Sequence, residues 1–368
     1  MAIRKRAVES MGMNSLFWNG KKVFVTGHTG FKGSWLSLWL QKLGAEVTGY
    51  SLDPPTTPSL FEIANVADSM FSIRGNILDA NNLQKTIQKA KPEIVIHMAA
   101  QSLVENSYLD PIETYSTNIM GTVHVLEAIR KSSSVKSVIV VTSDKCYDNK
   151  EWDWGYRENE PLGGYDPYSS SKACTELVSS AYRSSYFNKE TYKKHGVSIA
   201  TARAGNVIGG GDWAINRLVP DIINAFVHGH ELQIRNPEAI RPWQHVLEPL
   251  RGYLNLAENL FNIGPAYAEA WNFGPNDGDV KQVKWIAANM AKMWGKDSQF
   301  INRTTGFHEA KYLKLDNSKA RARLNWKPVL EINDSLKLTI DWYKQLMQGK
   351  DALEITMRQI NEYEKQAI

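Results

Sequence analysis

Short apolar runs alternate with amphipathic stretches through the first half of the chain. The runs "KKVFVTG" (21–27), "EVTGYSL" (46–52), "MFSIRGN" (70–76), "EIVIHMAA" (93–100), "SVIVVTSD" (137–144) and "VSIATARAG" (197–205) predict buried strands. Between the first two, "FKGSWLSLWLQKLG" places Trp35, Leu36, Leu38, Trp39, Leu40 and Leu43 on a largely buried helix, with Gly44 as its C-cap. Helical spacing also covers 79–90, 114–131 and 168–187. Such alternation predicts an α/β fold built on a doubly wound parallel sheet. After about residue 206 Gly, Pro, Trp and Asn become frequent, as in "GNVIGGGDWAINRLVP" and "RNPEAIRPWQHV", with helices expected at 217–228, 249–261, 280–293 and 334–348. This predicts a second, smaller mixed α/β lobe over the carboxyl edge of the sheet, whose long loops contact a ligand.

Composition narrows the functional classes. The chain has 368 residues, 43% of them hydrophobic, with a net charge of +4. No basic cluster is interleaved with aromatics, which argues against a nucleic-acid partner. Two cysteines, Cys146 and Cys174, are too few for a disulfide framework and wrongly spaced for zinc, so no metal is expected. No run approaches ~18 apolar residues, so no membrane-spanning helix is expected. The N-terminus lacks the long apolar stretch of a signal peptide, which predicts a cytoplasmic protein. Residues 1–12 read either as an extension or as sequence ahead of a true start at Met13.

Three motifs carry chemistry. "TGHTGFKG" sets Gly27, Gly30 and Gly33 between a strand and a helix, where backbone N–H groups and the helix N-terminus can hold a dinucleotide pyrophosphate. Asp53, after the second strand, suits the adenosine ribose of NAD, or is only a turn acid before two prolines. No arginine is near it in sequence, which favours NAD over NADP. In "YDPYSSSK", Tyr168 and Lys172 lie one helical turn apart, and an ammonium near a phenol favours the phenolate. The third motif is Ser143-Asp144-Lys145, a hydroxyl, an acid and a base at a strand's carboxyl end.

GxxGxxG, Ser143 and the Tyr168/Lys172 pair together resemble the extended short-chain dehydrogenase/reductases that act on nucleotide sugars. The strings "GHTGFKGSWLSLWL", "TSDKCYDNKEWDWGYREN", "GGYDPYSSSK" and "NPEAIRPWQHVLEPL" are similar, more narrowly, to the CDP-glucose 4,6-dehydratase group. The resemblance implies an NAD-binding Rossmann domain over 18–205, a nucleotide-sugar lobe mainly over 206–350 with some segments returning to the sheet, and a C-terminal helix at 351–368. Residues 1–17 are expected to be a disordered extension. By matching positions, Gly27, Gly30, Phe31 and Gly33 take the pyrophosphate, Asn76 and Ile77 the adenine, and Met98, Ala99, Ala100, Gln101 and Thr117 line the cofactor site. Asn206, Arg217, Arg241 and His245 fall near the nucleotide sugar.

The family chemistry implies that Tyr168, Ser143 and Lys172 serve oxidation at sugar C4 with NAD as hydride acceptor. Asp144 then protonates the leaving 6-hydroxyl and Lys145 removes the C5 proton, unless Lys145 only neutralises Asp144. The product is a 4-keto-6-deoxy sugar for deoxysugar biosynthesis of the lipopolysaccharide O-antigen type. A 4-epimerase, or a dehydratase of another nucleotide sugar, is the alternative, as is a non-catalytic nucleotide-binding regulator. In "AAQSLVENSY" the family's usual proline and arginine are replaced by Ser102 and Glu105. Members are commonly homo-oligomers, dimers or tetramers, and the apolar faces of 114–131 and 168–187 could pack either between copies or in the core.

Overall fold

The computed structural model describes residues 14–296, 300–302 and 310–367. Strands β1 (Lys22–Thr26), β2 (Glu46–Ser51), β3 (Phe71–Arg74), β4 (Ile94–His97), β5 (Ser137–Val141), β6 (Ser198–Ala204) and β7 (Ala270–Phe273) form one sheet in the order β7-β6-β5-β4-β1-β2-β3. Every neighbouring pair is parallel. The order reverses between β1 and β4, which opens a crevice at the carboxyl ends of those strands.

Helices cover both faces, so the central strands are apolar throughout rather than alternating with polar residues. Successive side chains still point to opposite faces. Val23, Val25, Ile96 and Ile139 join the larger core, whereas Phe24, Val95, Val138 and Val140 join the smaller one. Helix α1 (Phe31–Lys42) is buried nearly all round, with Trp35 and Trp39 fully enclosed. The six predicted strands each contain an observed one, and the helices at 79–90 and 168–187 appear as α2 (Ala80–Ala90) and α4 (Pro167–Ser185), with α3 (Gly121–Arg130) between them.

The helix expected over 114–131 is interrupted. Pro111–Tyr115 is α-helical, Ser116–Met120 forms a π turn, and α3 is Gly121–Arg130. Ser, Thr and Asn are weak helix formers that bond to backbone elsewhere, and here Asn118 does so across to Gln101. The polar-rich second half supplies α5 (Leu218–His228), α6 (Leu247–Asn262), α7 (Val283–Trp294), α8 (Ile332–Met347) and α9 (Ala352–Gln366). The start of the helix expected at 280–293 is instead a strand, Val280–Gln282, paired antiparallel with Ile240–Pro242. Two parts of this half return to the sheet. Strand β7 pairs with β6, and α6 packs against β5, where the Ser137 hydroxyl donates to the Ala257 carbonyl at 2.9 Å.

Helix α9 covers the outer side of α1, with the Trp39 indole donating to Glu364 at 2.7 Å and Lys42 paired with the same carboxylate. Of the predicted N-terminal extension, residues 1–13 lie outside the described residues. Its end is not loose: Ser15–Trp18 form a helical turn, Trp18 is fully buried, and the Asn14 amide donates to Glu258 at 2.7 Å.

Candidate active site

The loops that leave β1, β4, β5 and β6 emerge at one edge of the sheet and line a cleft of about 1040 Å³. Segments 211–221, 233–235 and 241–243 of the second half close its other side. The glycine loop is shaped by close approach. Gly27 has φ +78°, and a Cβ there would sit 2.8 Å from the Ala99 nitrogen. A Cβ at Gly33 would come within 2.0 Å of the Gly27 carbonyl oxygen, so only glycine lets α1 start this near the loop. Gly30 has no neighbour nearer than 3.5 Å on its Cβ side and opens on the cleft. This cradle at a helix N-terminus fits a dinucleotide diphosphate. The loop after β4 is held against it, since the Met98 and Ala99 nitrogens both donate to Thr26 Oγ1 at 3.1 Å.

Phe31, Asp53, Asn76, Ile77, Met98, Ala99, Ala100 and Thr117 all line the cleft. Two expectations need correction here. Gln101 does not reach the cleft: its side chain donates to the Leu103 carbonyl and Thr114 and accepts from the Leu103 nitrogen, which fixes the loop instead. The view that no arginine lies near Asp53 fails in three dimensions. Arg74, at the end of the adjacent β3, pairs with Asp53 at 2.8 Å.

Strand β5 runs directly into a single 3-10 turn, Asp144–Cys146, capped by Ser143 Oγ, which accepts from the Lys145 nitrogen. The Ser143 hydroxyl donates to Asp144 Oδ1 at 3.0 Å and lies beside the Tyr168 phenol. Lys145 Nζ lies 3.6 Å from the same Asp144 oxygen and is partly exposed. Asp144 is buried, and its other oxygen, Oδ2, has no partner. Tyr168 and Lys172 come from the first turns of α4, which starts with Asp166 capping the Ser169 nitrogen at 2.8 Å and Pro167 at the first position.

The phenolate-favouring pair is not realised in this state. Burial pushes Tyr168 up to about 12, although the neighbouring Ser143 hydroxyl acts the other way. Lys172 points at the strand end, donating to the Val141 carbonyl at 3.3 Å, and burial pushes it down to about 8. Both groups lose hydration before either gains a charged partner, so desolvation dominates.

One turn beyond Lys172, Glu176 anchors α4 to the sheet. Arg203 donates to its carboxylate twice, at 2.8 and 2.9 Å, and Thr142 and Thr201 donate as well. Burial pushes the Glu176 carboxyl up, but the Arg203 charge and these bonds outweigh it and hold it below the usual range.

Asn206, Arg217 and Arg241 line the opposite wall. Asn206 Oδ1 is buried without a partner. Arg217 pairs with Asp212 at 3.0 Å and donates to the Ser102 hydroxyl at 2.9 Å. Arg241 is buried and donates to the Ile240 and Ala310 carbonyls. His245 is corrected to a core residue. It is fully buried edge-on to Trp35, lies outside the cleft, and burial lowers it to about 3.

Sequence reasoning missed Arg235, Lys32 and Asn118. Arg235 pairs with Glu105 at 3.2 Å, so the reversed charge at 105 has a cation facing it. The Asn118 side chain donates to the Gln101 carbonyl and Ser171, tying the loop after β4 to α4. The available signal for Lys32 was its place inside "GFKG", a cation within the phosphate loop.

The family model described as GDP-mannose 4,6 dehydratase matches residues 24–339. A CDP-glucose 4,6-dehydratase of Salmonella typhimurium (strain LT2) is 56% identical over 94% of this chain and 97% of its own. A dTDP-glucose 4,6-dehydratase of Streptomyces griseus is 27% identical over 73% of this chain and 76% of its own. Among solved structures, a dTDP-glucose 4,6-dehydratase from Streptomyces venezuelae with NAD and TYD bound superimposes with a TM-score of 0.75 at 23% identity, covering 90% of this chain and 99% of its own. The epimerase Mth375 from Methanothermobacter thermautotrophicus does so with a TM-score of 0.79 at 22% identity, covering 92% and 97%. The fold alone therefore does not separate dehydration from epimerisation. With one family model running through most of its length and a relative more than half identical almost end to end, the chain belongs to the GDP-mannose 4,6 dehydratase family.

Proposed function

We propose that this protein is an NAD-dependent hydro-lyase that converts CDP-D-glucose to CDP-4-keto-6-deoxy-D-glucose and water. The observation that carries this reading is the Ser143-Asp144-Lys145 turn at the end of β5, set in one cleft with Tyr168 and Lys172. Ser143, Tyr168 and Lys172 suffice for oxidation, whereas an acid with an open oxygen beside a lysine, Asp144 and Lys145, is what elimination adds. The CDP-glucose 4,6-dehydratase at 56% identity supports the choice of substrate.

NAD, when bound, supplies the hydride acceptor at sugar C4 and returns the same hydride to C6, so no reductant is consumed. The loop at Gly27, Gly30 and Gly33 would hold its diphosphate, Asp53 its adenosine ribose, and Lys172 its other end. Tyr168 takes the proton of the 4-hydroxyl, and Ser143, beside Tyr168 and bonded to Asp144, orients that hydroxyl. The 4-ketone acidifies the proton at C5. Lys145 removes it, and Asp144 Oδ2 protonates the departing 6-hydroxyl. A proton passed from Lys145 to Asp144 across this 3.6 Å pair leaves the lysine neutral to act as the base and the carboxyl protonated to act as the acid. Arg217 and Arg241 offer guanidinium groups to the substrate diphosphate.

The reading extends to a cytoplasmic enzyme of deoxysugar biosynthesis of the O-antigen type. Among the described residues no helix is long and apolar enough to cross a membrane. It also extends to a homo-oligomer, because Leu109, Ile112, Tyr115, Met120 and Leu177 are exposed around the Pro111–Arg130 and α4 helices. The test is incubation with CDP-glucose and NMR of the product. A new 6-methyl signal and a 4-keto or hydrated carbon are expected, and CDP-galactose instead would turn the assignment to epimerisation.

A further inference from the structure

Segment 102–109 continues the loop that leaves β4, and Leu103, Val104 and Asn106 line the cleft from it. Its start is fastened within the cofactor-binding half. The Gln101 nitrogen donates to Asn118 Oδ1 at 2.9 Å, and the Gln101 side chain bonds both the nitrogen and the carbonyl of Leu103. A helical turn, Val104–Leu109, follows, and its Ser107 hydroxyl donates back to the Val104 carbonyl at 2.6 Å.

The far side of the segment touches the second half of the chain. Arg217, just ahead of α5, donates to the Ser102 hydroxyl at 2.9 Å. Arg235, just after the strand Leu232–Ile234, pairs with Glu105 at 3.2 Å. The two arginines are braced together, because Arg235 also donates to the Asn216 carbonyl at 2.6 Å, one residue before Arg217. Behind Arg217 stands buried Asp212, paired with it at 3.0 Å, and the Asp212 backbone is bonded to Tyr343 of α8. One wall of the cleft thus presents two fixed guanidinium groups, and the other meets them with a hydroxyl and a carboxylate.

Ser102 and Glu105 are the two positions of "AAQSLVENSY" at which this chain departs from the residues usual in its family. An arginine at 105 would set like charges face to face across the opening. The contacts that do form are partly exposed, and such pairs hold weakly. Weakness suits a cover. Walls in contact bar a ligand from the space behind them, and a strong bond would keep it barred.

We propose that segment 102–109 is a cover over the substrate side of the cleft, clasped shut by Ser102 on Arg217 and Glu105 on Arg235. The clasp parts to admit the nucleotide sugar and re-forms to retain it. Glu105 is a positioning residue, which acts through Arg235 and touches no reacting atom. Two of the five N–H groups of Arg217 are used on Asp212 and Ser102, so others remain for the substrate diphosphate when the cover is closed. This rests on the nucleotide-sugar reading of the cleft.

The experiment compares the full-length wild type, Glu105→Arg and the charge-swapped Glu105→Arg/Arg235→Glu, each with NAD. It measures release of CDP by stopped flow, KM and kcat with CDP-glucose, and hydrogen exchange over 102–109. Glu105→Arg is expected to release CDP and to raise KM by about three- to tenfold, with kcat within about twofold of wild type. Its 102–109 segment should exchange faster, and the swapped variant should recover most of each change. Release and exchange equal to wild type in Glu105→Arg overturn the inference. So does a swapped variant no better than the single one, or a fall in kcat with KM and release unchanged. If Glu105→Arg fails to fold, wild type decides: exchange over 102–109 that is no slower with CDP than without overturns the cover. A wild type that binds neither CDP nor CDP-glucose would instead remove the nucleotide-sugar reading, and exchange in the single and swapped variants then decides the clasp by itself.

Discussion

Asp144 has one carboxylate oxygen committed to Ser143 and Lys145 and one without a partner, although the side chain is buried. A buried unmatched oxygen costs stability, and natural proteins keep such atoms where a ligand completes them. Asp144→Asn keeps the shape and still accepts from Ser143, but has no proton to give. Oxidation at C4 should survive while water loss slows by roughly 10²- to 10³-fold, the usual worth of a positioned acid. Stopped-flow absorbance should therefore show reduced nicotinamide building up during turnover. Dehydration at the wild-type rate would remove the acid assignment. Burial holds Tyr168 high, and the positive ring of oxidised nicotinamide would bring it down towards the range of a base.

Helix α4 carries Tyr168 and Lys172 on its first turns, and its place depends on Glu176 one turn later. The Glu176–Arg203 pair is nearly inaccessible on both sides and is wrapped by Thr142, Thr201 and Tyr147. Thr142 adjoins Ser143, so the pair also fixes the strand end that bears the catalytic turn. Glu176→Ala leaves Arg203 charged and buried and should cost about 3–5 kcal/mol, measured from urea unfolding. Replacing both partners, Glu176→Leu with Arg203→Met, should recover most of that loss. Equal instability of the single and double variants would show that packing, not charge, sets the position of α4. The π turn at 116–120 works on the same scale. It turns Asn118 towards Gln101 and Ser171 and so couples the loop after β4 to α4.

At the scale of the molecule, His28, His97 and His245 are buried among the described residues, and burial favours their neutral form. Burial lowers His28 to about 4, with Arg74 helping, His97 to about 3, with Lys172 helping, and His245 to about 3. His97 bridges Thr26 and Thr122, while His28 Nδ1 and His245 Nε2 have no partner. The unfolded chain binds protons at these rings below ~6.5, and the fold does not. Their contribution is therefore complete above that pH and is lost as pH falls towards the folded values. Each ring should remove about 1.4 kcal/mol per pH unit in that window. Urea midpoints measured from pH ~7.5 down to ~5 should fall steeply, and a flat profile would count against buried neutral rings.

Legibility followed the range of the interactions. The six strands of the first half, α1, α2 and α4 were readable because their apolar periods are local, and the glycine loop because its turn needs glycine at fixed spacing. The resemblance of long strings carried the rest of the catalytic set. What was not readable depends on partners far along the chain. Arg74 reaches Asp53 only because β2 and β3 are neighbours, Arg235 meets Glu105 only across the cleft, and β7 joins the sheet from within the polar half. His245 sits in a motif that reads as substrate-facing, yet the packing of α1 against it turns it into core.

The sequence by itself determined the doubly wound order of elements and the residues capable of the chemistry, since both are written in local spacing and side-chain type. The tertiary structure alone decided which of those residues share a cleft, which are buried enough to shift their protons, and which charges face each other. Those outcomes depend on desolvation and on distances between segments, and neither is a property of any one stretch of chain.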